Sequence, residues 1–410
     1  MKTFNTLIVG AGPAGMMAAI EASKKGSVCI ADTNSAPGKK LLLTGGGRCN
    51  ITTNQSVKDF LLGVPHHSAF LYSSLHQFSP LDTLRFFQSR NVQLKIEKNY
   101  AVFPVSDKAE TIRFCLEEEL KKKHVLFRQA TVQDIQKNDE TFTITAQEGS
   151  FTTTWKSRFV ILATGGKSYA HTGSTGFGYT LAQRLGHTIV PTEPGLVQLV
   201  VDSNPWKDCQ GISLSNIGLR WKEGKKYLQG DFLFTEKGFS GPVVFDMSLD
   251  FFTERILCID FLPHCSNEEW AQKVQEWRTI HSKMQMNTWL QQWFPKKLVY
   301  VLLHQIELSE TITGAEFSKK EDAKLWTYLR GGNENIVRKS SIEKAMVTLG
   351  GVHLKEIHPG SLASKIQPGL FFAGEILDIA GKTGGYNLQI ALSTGFVAGQ
   401  LNTTSNRGEK

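Results

Sequence analysis

The chain lacks any run of 18 apolar residues, so nothing in it reads as a membrane-spanning helix. Its six cysteines, Cys29, Cys49, Cys115, Cys209, Cys258 and Cys265, include no CxxC pair. That excludes a zinc ribbon and a thioredoxin-like redox pair. His264, Cys265 and Cys258 are too loose a cluster to predict a metal. Cysteines scattered in this way fit a reducing compartment, and the cytoplasm is the expected location. No low-complexity tract or 20–50-residue repeat occurs, which argues against linkers and solenoids. There is no arginine-rich arm or stacked-aromatic motif, so nucleic acid is a disfavoured partner. The apolar residues after Lys2 resemble a leader, but Gly10, Gly12, Pro13 and Gly15 interrupt them.

With 410 residues, two or three domains are expected. The net charge of +8 is spread along the chain with few blocks, as on a solvated basic surface. The longest obvious block, Lys121 to Lys123, closes a helix-like stretch, where cations suit the dipole.

The N-terminus carries the strongest pattern. Thr6 to Val9 reads as a buried strand, and Gly10-Ala11-Gly12-Pro13-Ala14-Gly15 follows as GxGxxG. Met16 to Lys24 reads as a helix stopped by Gly26. Val28 to Ala31 is a second strand, ended by Asp32. Each part has a mechanical reason. Gly10 permits the tight turn, Gly12 lets backbone approach a pyrophosphate, and Gly15 lets helix and strand pack. The helix start offers free N–H groups to phosphate, and Asp32 suits ribose hydroxyls. An acid there disfavours a 2′-phosphate, hence NADP. Gly38 to Asn50 adds a second glycine loop, whose successive N–H groups can form an anion-binding concavity. Arg48 adds a guanidinium able to pair with phosphate. Cys49, beside it, is open to a lowered pKa or to a plain buried role. One dinucleotide held along its length needs both loops.

Further along, Thr131–Ile135 and Thr141–Thr145 alternate as strands. Phe159 to Gly166 reads as a buried strand entering a glycine turn, followed by a helix from Tyr179 to Leu185. Leu370 to Glu375 repeats that grammar, with Asp378 nearby. Gly384 to Gln389 then opens a helix, Ile390 to Leu401, whose N-terminus can stabilise negative charge on an electron-rich ring. Between the halves, Gly211–Leu219, Tyr227–Thr235 and Val243–Met247 read as strands. From Asn267 to Leu303 the period is helical, with Trp270, Trp277, Trp289 and Trp293 expected as a helical core or an interdomain surface.

Five segments together resemble the bacterial three-domain flavoproteins related to aminoacetone oxidase, a family of NAD(P)/FAD-dependent oxidoreductases. They are the GxGxxG unit, Gly38–Asn50, Ala163–Gly178, Phe234–Pro242 and Gly350–Gln389. The resemblance implies an α/β Rossmann-type FAD-binding domain built from residues 1–193 and 345–410. It implies an inserted β-rich domain, 194–260 with 331–344, and a small helical domain, 261–330. FAD would be held by Gly10, Gly12, Pro13, Ala14, Gly15, Asp32, Lys40, Thr44 and the Gly46, Gly47, Arg48, Cys49, Asn50 loop. Val132 would hold the adenine by its backbone, and Ala163, Thr164 and Gly165 would line the cofactor. Gly374, Glu375, Ile376 and Asp378 would lie along its middle, with Gly385, Asn387, Leu388 and Gln389 at the isoalloxazine. One departure stands out: relatives commonly read Phe-Thr-His where this chain has Glu236. That change alters charge and proton transfer near neutral pH.

The chemistry expected is redox. The first expectation is an oxidase or dehydrogenase taking hydride from a small amine such as an amino ketone, with oxygen as acceptor. The second is a reductase of C=C or C=O bonds that uses transient NAD(P)H. The absence of a second GxGxxG unit lowers that reading. The third is a flavoprotein acting on or binding RNA. Tyr169, His171, Glu236 and Lys237 are the acid/base candidates, because each lies in or beside a family-like loop.

Overall fold

The computed structural model describes residues 2–202, 204–251, 255–333 and 335–402. The chain forms two compact units, Met1–Gly195 with Ile342–Lys410, and Leu196–Ser341.

The first unit is organised by β1 (Lys2–Val9), whose last four residues, Thr6 to Val9, are buried. β1 pairs in parallel with β2 (Val28–Asp32) on one side and with the strand Phe151–Leu162 on the other. Leu126–Gln129 extends the sheet beyond β2, and Leu370–Phe372 pairs with the end of Phe151–Leu162. The registers align Val9 with Ala31 and Leu162, and Leu162 with Phe372. Strands from both ends of the chain therefore stop along one edge, where ligands of parallel sheets bind. The first half of Phe151–Leu162 instead joins an antiparallel meander with Thr141–Glu148 and Thr131–Asn138.

Helix α1 (Pro13–Ala22) covers the sheet and is buried on nearly every side. It shares its burial with the helix Tyr386–Gly399, and small residues set their distance. A Cβ on Gly395 would lie 2.3 Å from the Ala14 carbonyl oxygen, and one on Gly399 would lie 2.4 Å from that of Ala18. Backbone thus meets backbone, and the C-terminal helix is fixed to the N-terminal fingerprint.

The second unit holds a closed barrel, in the order Leu199–Val201, Gly238–Ser240, Tyr227–Thr235, Ser213–Trp221, Arg255–Asp260, Asn335–Lys339. Val243–Met247, expected as a strand, is instead the helix Pro242–Ser248. Pro242 at its first turn presets the helical φ. The buried residues Val243, Val244 and Met247 follow helical spacing, which a five-residue apolar run cannot distinguish from a strand. The helical run from Asn267 breaks into Asn267–Thr279, Met286–Leu290 and Lys296–Gln305, followed by Lys319–Leu329. Trp277 stacks on Trp289 at 4.4 Å and Trp270 on Trp326 at 4.8 Å. The Trp270 indole donates to Asp322 (2.8 Å) and that of Trp277 to the Met284 carbonyl (3.0 Å). These rings are core whose polar edges are satisfied.

Candidate functional site

The glycines after β1 divide by what they touch. Gly10 has φ +104°, and a Cβ there would lie 2.5 Å from the Ala163 carbonyl oxygen. A Cβ on Gly15 would lie 1.9 Å from the Gly10 carbonyl oxygen. Both are glycine because the protein itself is too close. Gly12 differs: a Cβ there meets nothing within 4 Å. It lies at the start of α1, before Pro13 and Ala14, beside helix N–H groups that have no intrahelical partner. Asp32 ends β2 and organises the turn. One carboxylate oxygen accepts from the Ala11 N–H (2.7 Å), and the other accepts from the Asn34 N–H and side-chain amide (2.8 Å each). The Ala130 N–H donates to the Asp32 carbonyl (2.7 Å), two residues before Val132, which lies on the sheet's edge strand.

The second glycine loop turns through three left-handed residues, Gly45, Gly46 and Gly47. Gly46, like Gly12, has nothing within 4 Å of a Cβ. Thr44 is turned inward, its hydroxyl on the Leu41 carbonyl (2.7 Å). Arg48 does not match the phosphate-pairing expectation. Its guanidinium donates to Asp107 (2.8 Å) and Glu97 and lies 4.1 Å above the Phe103 ring. Its charge ties the loop to the hairpin Leu94–Ile96/Ala101–Pro104. Hydrogen bonds from Arg48 hold Glu97 below the usual carboxylate range, and those from Lys95 do so for Asp107. Cys49 is fully buried, and burial pushes its thiol up to about 12, so it is no nucleophile. The Asn50 side chain accepts from the Val102 N–H (3.2 Å).

Beyond Leu162 the chain turns through Ala163, Thr164 and Gly165 beside Gly10. A polar cluster then joins four segments. Lys40 donates to Glu375 and to the Ser168 hydroxyl, both at 2.7 Å. The other Glu375 oxygen accepts from Ser168 (2.9 Å) and from the Thr348 N–H (2.8 Å). The Thr348 hydroxyl accepts from the Lys167 and Ser168 N–H groups (2.7 and 3.1 Å). The sequence singles out Lys40 and Glu375; it does not single out Ser168 or Thr348, which join them only in space. Gly374 lies on the first turn of α1, where its Cβ would be 2.8 Å from that of Ala14, and Ile376 is buried.

The C-terminal helix corrects one expectation outright. The Gln389 side chain does not reach a ring face. It is fully buried, accepts from the Thr52 and Thr83 hydroxyls (2.5 and 2.8 Å), and donates to Ser393 (2.9 Å) and the Phe78 carbonyl (3.3 Å). The Asn387 side chain also turns back, onto Gly381 N–H and carbonyl (2.9 Å each). Leu388 lines a small apolar cavity with Pro13, Leu41 and Cys49. The helix start itself stays close to the site, because Gly385 presses on the Thr52 carbonyl and the Asn50 side chain.

The four acid/base candidates divide between the two units. Tyr169 lies 5.6 Å from the Lys40 ammonium and 6.0 Å from the His171 ring, with the Lys39 ammonium on the His171 carbonyl (3.0 Å). Glu236 and Lys237 belong to the other unit, exposed at a turn between barrel strands.

A family model described as HI0933-like protein Rossmann domain matches residues 4–401. The chain belongs to this HI0933-like family. Among its relatives, a 3-dehydro-bile acid delta(4,6)-reductase of Clostridium scindens is 32% identical over 96% of this chain and 97% of that protein. A ribosomal RNA dihydrouridine synthase of Escherichia coli is 29% identical over 98% of both. A solved 3-ketosteroid-Δ4-(5α)-dehydrogenase of Rhodococcus jostii shares the fold at a TM-score of 0.52, with 14% identity over 97% of each chain. The HI0933-like chain is an FAD-dependent oxidoreductase. The residues present fit that cofactor. Gly12 and Gly46 leave open space where the other fingerprint glycines meet backbone, a cradle that any side chain would fill.

Proposed function

We propose that the protein reduces a C=C bond conjugated to a carbonyl, and that its substrate is a uracil ring within RNA. The observation that carries the reading is similarity over nearly the full chain to two enzymes whose names both describe saturation of such a bond. Dienone and uracil share one electronic feature: the carbonyl draws charge and makes the β-carbon a hydride acceptor. FAD supplies the hydride chemistry when bound. The chain's own part is to hold and orient. Asp32 takes the adenosine ribose, Gly12 to Ala14 and the Gly46 turn take the pyrophosphate, and Val132 takes the adenine. Gly374 to Ile376, fixed by the Lys40–Glu375 pair, lie along the middle, and the start of Tyr386–Gly399 favours charge on the ring.

Charge favours RNA over a steroid. The segment 196–341 holds 18 Lys and Arg against 18 Asp and Glu, so the whole net charge of +8 falls on the FAD-binding unit. A polyanion gains most from that asymmetry. The second reading, a steroid-like enone, rests on the Clostridium relative.

The test is anaerobic. The flavin of the purified holoprotein is bleached with NADPH or NADH. A uridine-containing ribosomal RNA fragment or a 3-keto-4,6-diene steroid is then added. Return of the yellow colour, with gain of two hydrogens by the RNA, supports the proposal. Return with the steroid alone moves the substrate to the second reading. Bleaching of oxidised flavin by a small amino ketone, with peroxide formed in air, overturns it in favour of an amine oxidase.

A further inference from the structure

We infer that His67, oriented by Asp378, delivers the proton that completes C=C reduction; the inference rests on the function proposed above. Hydride addition to a β-carbon leaves the α-carbon needing a proton, and a positioned side chain must give it. None of the four acid/base candidates from sequence is paired with a carboxylate in a way that suits this task. His67 is. Its Nε2 lies 3.5 Å from Asp378 Oδ2, with the carboxylate recessed and about half of the histidine side chain exposed.

Two local oddities converge on the residue. His67 has φ +58°, a left-handed backbone that a non-glycine residue rarely adopts. It is also the N-cap of the helix Ser68–Gln77, yet its side chain makes no capping hydrogen bond. That position favours Ser, Thr, Asp or Asn. The chain accepts strain and an uncapped helix at one residue, and the ring is turned to Asp378. Such combinations concentrate at functional positions.

The placement fits the task. Asp378 follows the Gly374–Ile376 turn. The segment that carries His67 is fastened to the start of Tyr386–Gly399. The Lys382 N–H donates to the Gly63 carbonyl (2.9 Å), the Tyr386 hydroxyl donates to Gln55 (2.8 Å), and the Tyr386 ring lies 4.7 Å from Phe60. These contacts adjoin the helix start assigned to the ring of the cofactor.

The step balances as follows. A nicotinamide nucleotide is the two-electron reductant that recharges the cofactor. When bound, the cofactor would supply a hydride to the β-carbon of the substrate, and the π electrons would move toward the carbonyl. The α-carbon then takes a proton from His67 Nδ1, while Nε2 stays on Asp378. Two C–H bonds form, the C=C bond is lost, and solvent reprotonates the exposed imidazole.

The experiment compares wild type, His67→Gln and Asp378→Asn as holoproteins. Anaerobic stopped-flow follows three steps: bleaching by NADPH, reoxidation by ferricyanide, and reoxidation by the RNA fragment or the dienone. Ferricyanide takes electrons and needs no proton on carbon. The expected result in His67→Gln is that the first two rates stay within about twofold. Reoxidation by the C=C acceptor falls by roughly 10²–10⁴-fold in His67→Gln. In parallel, NMR follows the His67 imidazole, identified by its absence in His67→Gln. Its ring nitrogen chemical shifts change in Asp378→Asn, where the carboxylate facing Nε2 is lost. Asp59, His66 and Lys382 in the adjoining segments stay constant in that comparison. A His67→Gln rate with the C=C acceptor within threefold of wild type overturns the inference while leaving the proposed function standing. Unmoved ring nitrogen shifts in Asp378→Asn overturn the pairing. A wild type that neither acceptor reoxidises removes the function and the inference together.

Discussion

Replacing Gln389 separates a core role from a cofactor role. Gln389, Thr52, Thr83 and Ser393 are all fully buried, and the amide joins the other three and the Phe78 carbonyl. Gln389→Leu keeps the approximate volume and removes every polar link. Not all of them are costly. The Phe78 carbonyl keeps the Ser393 hydroxyl as a donor at 2.6 Å, so neither is orphaned. The Thr52 and Thr83 hydroxyls lose the acceptor they share. A buried polar group left without a partner costs about 1–3 kcal/mol, so the two together cost about 2–6 kcal/mol. The assay is urea unfolding of the FAD-saturated holoprotein, with the midpoint and slope compared at one FAD concentration. The midpoint should fall with the slope unchanged. Adding Thr52→Val and Thr83→Val should recover most of the loss, because no buried hydroxyl then lacks a partner. A loss below about 0.5 kcal/mol refutes the hydrogen-bond argument, which requires more than an ordinary surface change. So does unchanged stability with a shifted flavin spectrum, which would put the amide at the ring.

Two further perturbations test the site and its surroundings. Gly12→Ala should fold as wild type, since its φ of −73° suits alanine and the Cβ meets nothing, yet should bind FAD more weakly by isothermal titration. Gly15→Ala should instead destabilise by about 1–3 kcal/mol or more in the same urea assay, because its Cβ collides with the Gly10 carbonyl. His187 is buried, with its ring on Ser364 (2.8 Å) and Glu356 (3.2 Å). Burial pushes its pKa below the usual 6.5, outweighing the opposite pull of Glu356. The unfolded chain therefore binds the proton first. Stability should fall as the pH drops below about 6.5, until the folded pKa is reached. His187→Gln should flatten thermal stability between pH 6.5 and 5; an unchanged slope would assign the acid sensitivity elsewhere.

How far the sequence reads depends on whether a residue's reason is local. The fingerprint from Thr6 to Asp32 was legible because strand, turn, helix and acid follow one another within one βαβ unit, and β1, α1 and β2 fall where the pattern puts them. The shared sheet was legible for a similar reason: Leu370 to Phe372 is apolar throughout, as a doubly covered strand must be. Val243 to Met247 was misread because a short apolar run has no period of its own, and Pro242 decides the matter. Arg48 was misread differently. A guanidinium beside three glycines suggests phosphate, but Glu97 and Asp107 lie 49 and 59 residues away in sequence, and no local pattern announces them.

The same distinction separates the glycines that hold a guest from those that hold the protein. Gly10, Gly12 and Gly15 look equivalent in a GxGxxG string. In space, Gly10 and Gly15 are required by backbone 2.5 and 1.9 Å away, whereas a Cβ on Gly12 meets nothing within 4 Å, as expected of a glycine kept for a ligand. Gly395 and Gly399 belong with the first kind: they bring Tyr386–Gly399 onto α1. On the proposed cofactor placement, that contact would let one cofactor be held by both ends of the chain. The start of α1 offers the N–H groups, and the helix resting on it carries the start that Thr52, Asn50 and Gly63 surround. Close packing of glycines far from any ligand therefore fixes the distance between the two parts of the site. Widening it by a single methyl at Gly395 would disturb cofactor binding without touching the cofactor.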